Sequence, residues 1–177
     1  MKNEKGLIIC YFGEGKGKTT AALGLALRAS GADKKVKIIQ FIKGPWKSSE
    51  EKSIEKNANI ELEKIGLGFV GILTDKKHIK EHHGAARKGL KIARDSYKQK
   101  DLFILILDEI LGAIRGGLLK VDDVIELIKL KPRRLNLVLT GRSKIKEIID
   151  LCDLVSEMKE IKHPYRKGDI ARRGIDY

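Results

Sequence analysis

The stretch YFGEGKGKTT, residues 11–20, decides the fold because of what lies on either side of it. The apolar run GLIICYF, residues 6–12, predicts a buried parallel strand. The alanine- and leucine-rich residues 17–31 predict a helix that ends at Gly31. A glycine-rich turn between a strand and a helix is typical of a phosphate-binding loop. This turn is shorter than the usual G-x-x-x-x-G-K-[ST] loop, because its first glycine, Gly13, comes one residue late.

The shortened loop keeps the features that phosphate binding needs. Gly13, Gly15 and Gly17 let the backbone turn sharply and direct N–H groups inward. A helix beginning near Lys18 adds its positive end. We expect Lys18 to reach a phosphate oxygen and Thr19 to offer its hydroxyl to Mg²⁺. The alternative is a glycine-rich turn that binds nothing, and the strand before it and the helix after it argue against that.

Lys16 is one lysine more than the usual loop carries. Two ammonium groups in one short loop repel each other unless an anion lies between them. Since Lys18 already serves the phosphates of a nucleotide, Lys16 indicates strong negative charge at the terminal phosphate, as a departing polyphosphate would have. A Lys16 side chain that points into solvent is equally consistent with the sequence.

Strands and helices alternate along the rest of the chain. Strands are predicted for residues 36–44, 101–110, 135–142 and 153–158, and helices for residues 76–100, 121–132 and 143–152. Residues 44–75 show no single pattern. This alternation predicts one α/β domain over residues 1–177, with a mostly parallel sheet and helices on both faces. Ligands bind such sheets at the carboxyl ends of the strands, where the chemically suggestive residues 13–20, 43–44, 108–109 and 140–142 fall.

Two acidic residues, Asp108 and Glu109, end the apolar strand LFILILDEI. With a phosphate loop in the same chain, this position predicts a role in holding Mg²⁺, directly or through water. In ATPases a glutamate here often activates the attacking water, whereas in a transferase Glu109 would only bind the metal. The alternative is an acid pair that merely favours a helix dipole.

The composition limits the classes of partner. The formal net charge of +13 makes an anionic partner plausible, although a lysine-rich solvated surface explains most of the excess. Aromatic residues make up 5% of the chain, few for a protein that stacks bases along a strand. Cys10 and Cys152 show no metal or redox spacing, so we expect free thiols in a reducing cytoplasm. We also expect no signal peptide and no membrane span.

Strings of sequence from Leu7 to Tyr177 resemble the corrinoid adenosyltransferases with the P-loop fold. The shortened loop with its extra lysine and the tail pattern KHP…G…A..GI.Y are the most specific parts of the resemblance. The resemblance implies a P-loop NTPase-like (RecA-like) sheet. The matching strings are GEGKGKTTAALGLALRASG, IIQFIKGPW, ILDEI, VDDVIELI, LNLVLTGR and DLVSEMKEIKHPYRKGDIARRGIDY.

The resemblance implies that the 5′-deoxyadenosyl group of ATP is transferred to the Co(I) centre of a corrinoid, with release of tripolyphosphate. Co(I) is the nucleophile and attacks carbon, so no protein base is required. ATP lies reversed relative to ordinary P-loop enzymes, so the loop holds the terminal phosphate of the leaving group. Lys16 and Lys18 then act as catalytic residues that neutralise charge as the C5′–O bond breaks.

The same resemblance assigns further site residues. Thr19 and Glu109 fall where the Mg²⁺ ligands lie, with Asp108 alongside. Arg28 matches an arginine that contacts the triphosphate, and an ordinary surface arginine is the alternative. A homodimer and a cobalt-reducing flavoprotein partner are also implied. ATP is expected to bind the loop residues Gly13, Glu14, Gly15, Lys16, Gly17, Lys18, Thr19 and Thr20.

The sequence departs from the family pattern in two places that matter. Glu14 stands where Asn or Asp is usual. Residues 68–73 read GFVGIL where the family has GFTW, whose aromatic residues press on the lower face of the corrin. Phe69 is retained as a predicted corrinoid contact, but Gly71 replaces the tryptophan.

Two other interpretations remain open at the level of sequence. One is a P-loop ATPase or nucleotide switch that serves a basic nucleic-acid-binding surface, supported by the charge of +13 and by Glu109. The other is a degenerate family member that binds nucleotide without catalysis. In the adenosyltransferase interpretation, nucleic acid is not expected as a partner.

Overall fold

The computed structural model describes residues 5–44, 48–68 and 77–176. Its helices and strands alternate, as the sequence predicts. In chain order they are β1 Ile8–Phe12, α1 Lys18–Ser30, β2 Lys35–Gln40, α2 Ser49–Ile54, β3 Ile60–Lys64, α3 Ile79–Ser96, β4 Leu102–Asp108, α4 Ile110–Arg115, α5 Val121–Lys129, β5 Asn136–Gly141, α6 Lys146–Ile149, β6 Leu154–Glu157 and a 3₁₀ helix Pro164–Lys167.

The strands form one parallel sheet in the order β3-β2-β4-β5-β1-β6. One strand, β5, lies between β1, which precedes the glycine-rich loop, and β4, which carries the acid pair. In the register of the sheet Phe12 lies opposite Gly141 and Leu107 opposite Leu139, so these strands end close to the same level. Neighbouring strands are about 4.8 Å apart, which places the ends of β1 and β4 roughly 10 Å from each other. This parallel order, with one strand between the loop strand β1 and the acid-pair strand β4, confirms the predicted P-loop NTPase-like (RecA-like) sheet.

Both faces of the sheet are covered by helices, as predicted. On one face α1 presents Ala22, Ala26 and Ala29 to strand residues such as Ile38 and Val138. These small side chains let the helix lie close to the sheet, so its first turn sits over the strand ends. On the other face α3, α5 and α6 enclose a core that includes Ala86, Ala93, Leu105, Leu107, Leu127, Leu137, Leu139 and Ile148.

The structure differs from the predicted elements in four places. The unassigned residues 44–75 contain α2 and the edge strand β3. The predicted helix at residues 143–152 is only the four-residue α6, and the unpredicted α4 follows directly after Glu109. β2 ends at Gln40 instead of Gly44. Among the described residues, no helix has the length and apolar character needed to cross a bilayer.

Candidate active site

A cavity of about 1270 Å³ opens at the carboxyl ends of the strands. We call the inner wall the side of the cavity formed by Lys18, Thr19 and Glu109, together with the buried Asp108 and Thr140 that are hydrogen-bonded to them. We call the tail wall the side formed by the chain after β6 together with Lys16 of the loop, which pairs with Asp176 of that chain. The described residues that line the cavity are Glu14, Gly15, Lys16, Gly17, Lys18, Thr19, Thr20, Leu23, Lys43, Ser49, Glu50, Glu109, Arg142, Glu157, Met158, Lys159, Glu160, His163, Tyr165, Arg166, Gly174, Ile175 and Asp176.

The glycine-rich loop places Lys18 deep in the inner wall. Gly17 is the N-cap of α1 and has a φ of 113°, a left-handed conformation that favours glycine. Lys18 is only 7% exposed, and its Nζ donates to the carbonyl of Gly15 at 2.7 Å. Burial lowers the pKa of Lys18, while the nearby Glu109 carboxylate acts in the opposite direction. A buried ammonium group bound only to a neutral carbonyl is ready to accept an anion.

Gly15 is required for a reason that the sequence does not reveal. Its N–H donates to the carbonyl of Met158 at 2.7 Å, and a Cβ at this position would lie 2.6 Å from the carbonyl carbon of Lys159. The N–H of Gly13 likewise donates to the carbonyl of Arg142. Neighbouring segments thus use two of the N–H groups that the sequence predicts to point inward, and the binding of ATP at these glycines stays a prediction. The first N–H groups of α1, which have no acceptor within the helix, remain for a phosphate.

Asp108 is a buried hub of hydrogen bonds, with 1% exposure. The hydroxyls of Thr19 and Thr140 both donate to its Oδ1, at 2.9 and 2.8 Å. The side-chain amide Nε2 of Gln40 donates to its Oδ2 at 3.1 Å. Three elements, α1, β5 and β2, thus fix one carboxylate at the end of β4, so its position is set before any ligand binds.

Glu109 occupies an unusual backbone position beside Asp108. Its φ of 61° lies in the left-handed region, and its N–H donates to the hydroxyl of Thr140 at 2.8 Å. Burial, with a further contribution from the Asp108 carboxylate, raises the pKa of Glu109. Its carboxylate lies over Gly112, where a Cβ would come within 2.6 Å of Oε2. The turn therefore holds a second carboxyl group in the cavity wall next to the first.

The residues of the inner wall fit a magnesium ion. Thr19, Asp108 and Glu109 supply hydroxyl and carboxylate oxygens, the ligands that Mg²⁺ prefers. Burial, and after it the neighbouring Asp108 carboxylate, raises the pKa of Glu109, and a cation would stabilise both carboxyl groups in their charged form. Among the described residues, no cluster of three or more His, Cys, Asp or Glu is arranged for a metal. The ion would therefore need substrate oxygens to complete its shell, as it does when it binds with a nucleotide.

The tail wall carries its charges in exposed ion pairs. Lys16 pairs with Asp176, although its side chain is 43% exposed. Arg166 pairs with Glu160 at 2.8 Å, and on the rim Lys43 pairs with Glu50 at 2.6 Å. The described lining carries equal numbers of Lys or Arg and of Asp or Glu side chains. The excess charge of the chain therefore lies elsewhere on the surface, as a lysine-rich solvated exterior predicts.

Most of the predicted ATP-binding residues line this cavity, but Gly13 and Arg28 do not. Gly13 lines a smaller neighbouring cavity. Arg28 is exposed in the last turn of α1, roughly 15 Å along the helix from Lys18 at about 1.5 Å per residue. It is not among the described residues that line the cavity, so its contact with a triphosphate stays a prediction. Phe69 and Gly71 lie outside the described residues.

The sequence analysis missed several residues of the site. Gln40 is a polar residue at the end of a buried apolar strand, and that contrast was the signal that could have identified it. Thr140 lies in the stretch 140–142 that the sequence singled out, but its bonds to Asp108 and Glu109 were not predicted. His163 lines the cavity, and its Nδ1 accepts from the N–H of Tyr165 at 3.1 Å. Glu14, the unusual loop residue, pairs with Arg115 at 3.1 Å and approaches Arg142 at 3.8 Å.

Comparisons with known proteins agree with this geometry. The family model for ATP:corrinoid adenosyltransferase BtuR/CobO/CobP matches residues 4–177. The corrinoid adenosyltransferase of Escherichia coli (strain K12) is 34% identical over 176 residues, which cover 99% of this chain and 88% of that protein. That of Salmonella typhimurium (strain LT2) is 35% identical over 181 residues, with coverage of 99% and 88%. That of Pseudomonas aeruginosa is 30% identical over 177 residues, with coverage of 99% and 86%. These matches show that the chain belongs to the ATP:corrinoid adenosyltransferase family.

Proposed function

We propose that this chain, as an ATP:corrinoid adenosyltransferase, moves the 5′-deoxyadenosyl group of ATP to the cobalt of a reduced corrinoid. The observation that carries the proposal is that Lys16 and Lys18 line one cavity together with Thr19 and Glu109. At about 1270 Å³ that cavity exceeds the roughly 300–1,000 Å³ of an ordinary small-molecule pocket, so it has room for more than one substrate. The P-loop ATPase alternative is not favoured, since the family match spans nearly the whole chain.

The proposed step forms a cobalt–carbon bond and breaks the C5′–O bond of ATP. The electron pair of Co(I) attacks C5′, the cobalt is formally oxidised by two electrons, and the bonding pair of C5′–O leaves on the triphosphate. No proton has to be moved, which agrees with a site whose carboxylates are hydrogen-bonded or crowded together. The protein is left with one main task, the stabilisation of negative charge on the leaving group.

Lys16 and Lys18 perform that task on opposite sides of the loop. Lys18 is fixed in the buried inner wall, and Lys16 can exchange Asp176 for a phosphate oxygen. Mg²⁺, held by Thr19 and Glu109 with Asp108 alongside, would neutralise further charge on the phosphate oxygens. Glu109 then serves as a metal ligand, and its raised pKa is compatible with that role once the cation is present.

The finer features of the family are part of the proposal. We propose that the chain acts as a homodimer in the cytoplasm and receives its reduced corrinoid with the help of a flavoprotein reductant. The two cysteines, Cys10 and Cys152, are unpaired, which is compatible with a reducing compartment. Sedimentation of the purified protein would test the homodimer.

A product assay tests the reaction directly. The protein is incubated with Mg-ATP and a chemically reduced corrinoid, and we expect an adenosylated corrinoid and tripolyphosphate in equal amounts. Release of ADP and phosphate alone would contradict the proposal, because it indicates attack on phosphorus. A parallel assay with DNA or RNA covers the alternative, whose signature is stimulated hydrolysis with affinity that falls steeply as salt rises.

A further inference from the structure

Gln40 carries an unpaired buried acceptor beside the metal-binding residues. The residue is 1% exposed, and its Nε2 donates to Asp108 Oδ2 at 3.1 Å. Its Oε1 is also buried, and no hydrogen-bond donor among the described residues reaches it. Leaving such an oxygen unpaired is unfavourable, and most buried polar atoms have a partner. The structure therefore has a place for a donor at this oxygen.

The backbone holds the Gln40 amide in one position. Gln40 is the last residue of β2 and lies opposite Asp108 in β4 and Lys64 in β3. Its carbonyl accepts hydrogen bonds from the N–H groups of Ile65 and Gly66, both at 3.1 Å. With strands on both sides, a rigid frame holds the side chain against Asp108, as a preorganised site requires.

The polar side chains around the acid pair donate to other groups. The hydroxyls of Thr19 and Thr140 donate to Asp108, and the ammonium group of Lys43 donates to Glu50. Since the oxygen is closed to bulk solvent, a single held water is the donor that fits. Mg²⁺ keeps several waters when it binds a nucleotide, and a metal-bound water is a strong donor.

We propose that Gln40 is a positioning residue for the metal–triphosphate complex. Its Nε2 orients Asp108, and its Oε1 accepts a hydrogen from a water in the hydration shell of the metal. One amide would then hold both the Asp108 carboxylate and a metal-bound water in place. The metal, and with it the triphosphate, would have a single orientation in the inner wall. The inference rests on the proposed function only in that a nucleotide binds here with its metal.

Metal retention in the nucleotide complex tests the proposal without adenosyl transfer. Mn²⁺ replaces Mg²⁺ as the probe, and the free ion is measured by electron paramagnetic resonance in the presence of ATP and the protein. We expect Gln40→Met to weaken Mn²⁺ retention about tenfold or more, as removal of outer-shell partners does. Affinity for metal-free ATP should stay within about twofold. Gln99→Met, the same change at an exposed position, should leave both values unchanged.

A second variant separates the two functions of the amide. Thr140→Val removes one hydrogen bond to Asp108 and the acceptor of the Glu109 N–H, and it leaves Gln40 intact. We expect a smaller loss of Mn²⁺ retention than for Gln40→Met. Equal losses would overturn the role of Oε1, since Gln40 would then act through Asp108 alone.

Two further outcomes would overturn the proposal. One is unchanged Mn²⁺ retention in Gln40→Met, and the other is an equal loss of metal-free ATP binding. If that variant does not fold, a crystal structure of the unaltered protein with Mg-ATP decides. The proposal requires a metal-bound water within hydrogen-bond distance of Gln40 Oε1. Failure of the adenosyl-transfer assay would leave these readouts unaffected, so the two proposals can fail separately.

Discussion

The two walls of the cavity are built from different kinds of contact. In the inner wall Lys18, Asp108 and Thr140 are at most 7% exposed, and hydrogen bonds between side chains and backbone fix them. In the tail wall Lys16 and Arg166 are held by exposed ion pairs with Asp176 and Glu160. Exposed ion pairs contribute little to stability and exchange partners easily. The inner wall is therefore fixed when the protein folds. The cationic side chains of the tail wall can instead release their carboxylate partners and bind the oxygens of a substrate.

The strongest test of this difference compares the two lysines of the loop. We expect Lys18→Ala to abolish nucleotide binding, with affinity for Mg-ATP reduced at least about 100-fold, because charge-assisted hydrogen bonds at a buried site contribute up to about 3 kcal/mol each. Calorimetric titration with Mg-ATP measures the loss, and thermal unfolding should show an intact fold.

Lys16→Ala is the matched variant from the tail wall. It should weaken Mg-ATP binding by less than Lys18→Ala, because Lys16 is partly exposed and gives up an ion pair to bind phosphate. Equal losses of Mg-ATP affinity in the two variants would contradict the distinction between the two walls. Unchanged affinity in Lys18→Ala would show that the loop is misassigned.

Glu109→Gln probes the second buried charge of the inner wall. We expect Mg²⁺ to promote ATP binding at least about tenfold less well in the variant, since a metal ligand is lost. In the unaltered protein, acidification should also weaken the effect of Mg²⁺ on ATP binding. This weakening should begin at a higher pH than it would for a glutamate with an ordinary pKa, because burial and Asp108 raise the pKa of Glu109. Titrations of ATP at several pH values, with and without Mg²⁺, measure both effects.

The same raised pKa has a consequence for stability with a definite sign. A carboxyl group whose pKa is higher in the folded state contributes stability at low pH, and this contribution is lost as the pH rises through the folded pKa. Without metal, Glu109→Gln should therefore be as stable as the unaltered protein or more so at pH 8. A clear loss of stability at pH 8 would mean that the ionised carboxylate has a partner in the folded protein.

Gly15→Ala tests the contact between the loop and the tail. The added Cβ would lie 2.6–2.7 Å from backbone atoms of Met158 and Lys159, so the chain after β6 must move. We expect a loss of about 1–3 kcal/mol in the free energy of unfolding, measured with denaturant. Gly24→Ala on α1 is the control, because a Cβ there meets nothing within 4 Å and should stabilise the helix by up to about 1 kcal/mol.

Asp176→Asn should give the smallest effect, and of the opposite sign. Removing the carboxylate frees Lys16 for phosphate, so affinity for Mg-ATP should rise about two- to threefold, the range that an exposed ion pair allows. The gain should shrink at high salt, because exposed charges are screened. A fall in affinity would mean that Asp176 helps to bind the substrate instead of competing with it.

Much of the inner wall could be predicted from sequence because it follows strong local patterns. The apolar strand, the glycine-rich turn and the following helix specify the position of Lys18 and Thr19, and the strand before Asp108 does the same for the acid pair. Periodicity and turn chemistry act within a few residues, so a single sequence contains them.

The contacts that the sequence could not give are those between distant segments. The N–H of Gly15 bonds to Met158, and Asp176 reaches Lys16 from the far end of the chain. The edge strand β3, with the sequence IELEK, is half polar and short, so its pattern was not distinctive. Gln40 acquires its importance only when the sheet places it opposite Asp108.

The backbone at Glu109 has a consequence for any attempt to engineer this protein for heat tolerance. Glycine adopts a φ of 61° without the steric penalty that a side chain carries, which is roughly 1 kcal/mol. Laboratory selection for thermal endurance alone would therefore favour glycine at position 109 and discard the carboxylate. The most thermostable variants from such a selection should therefore be catalytically inactive.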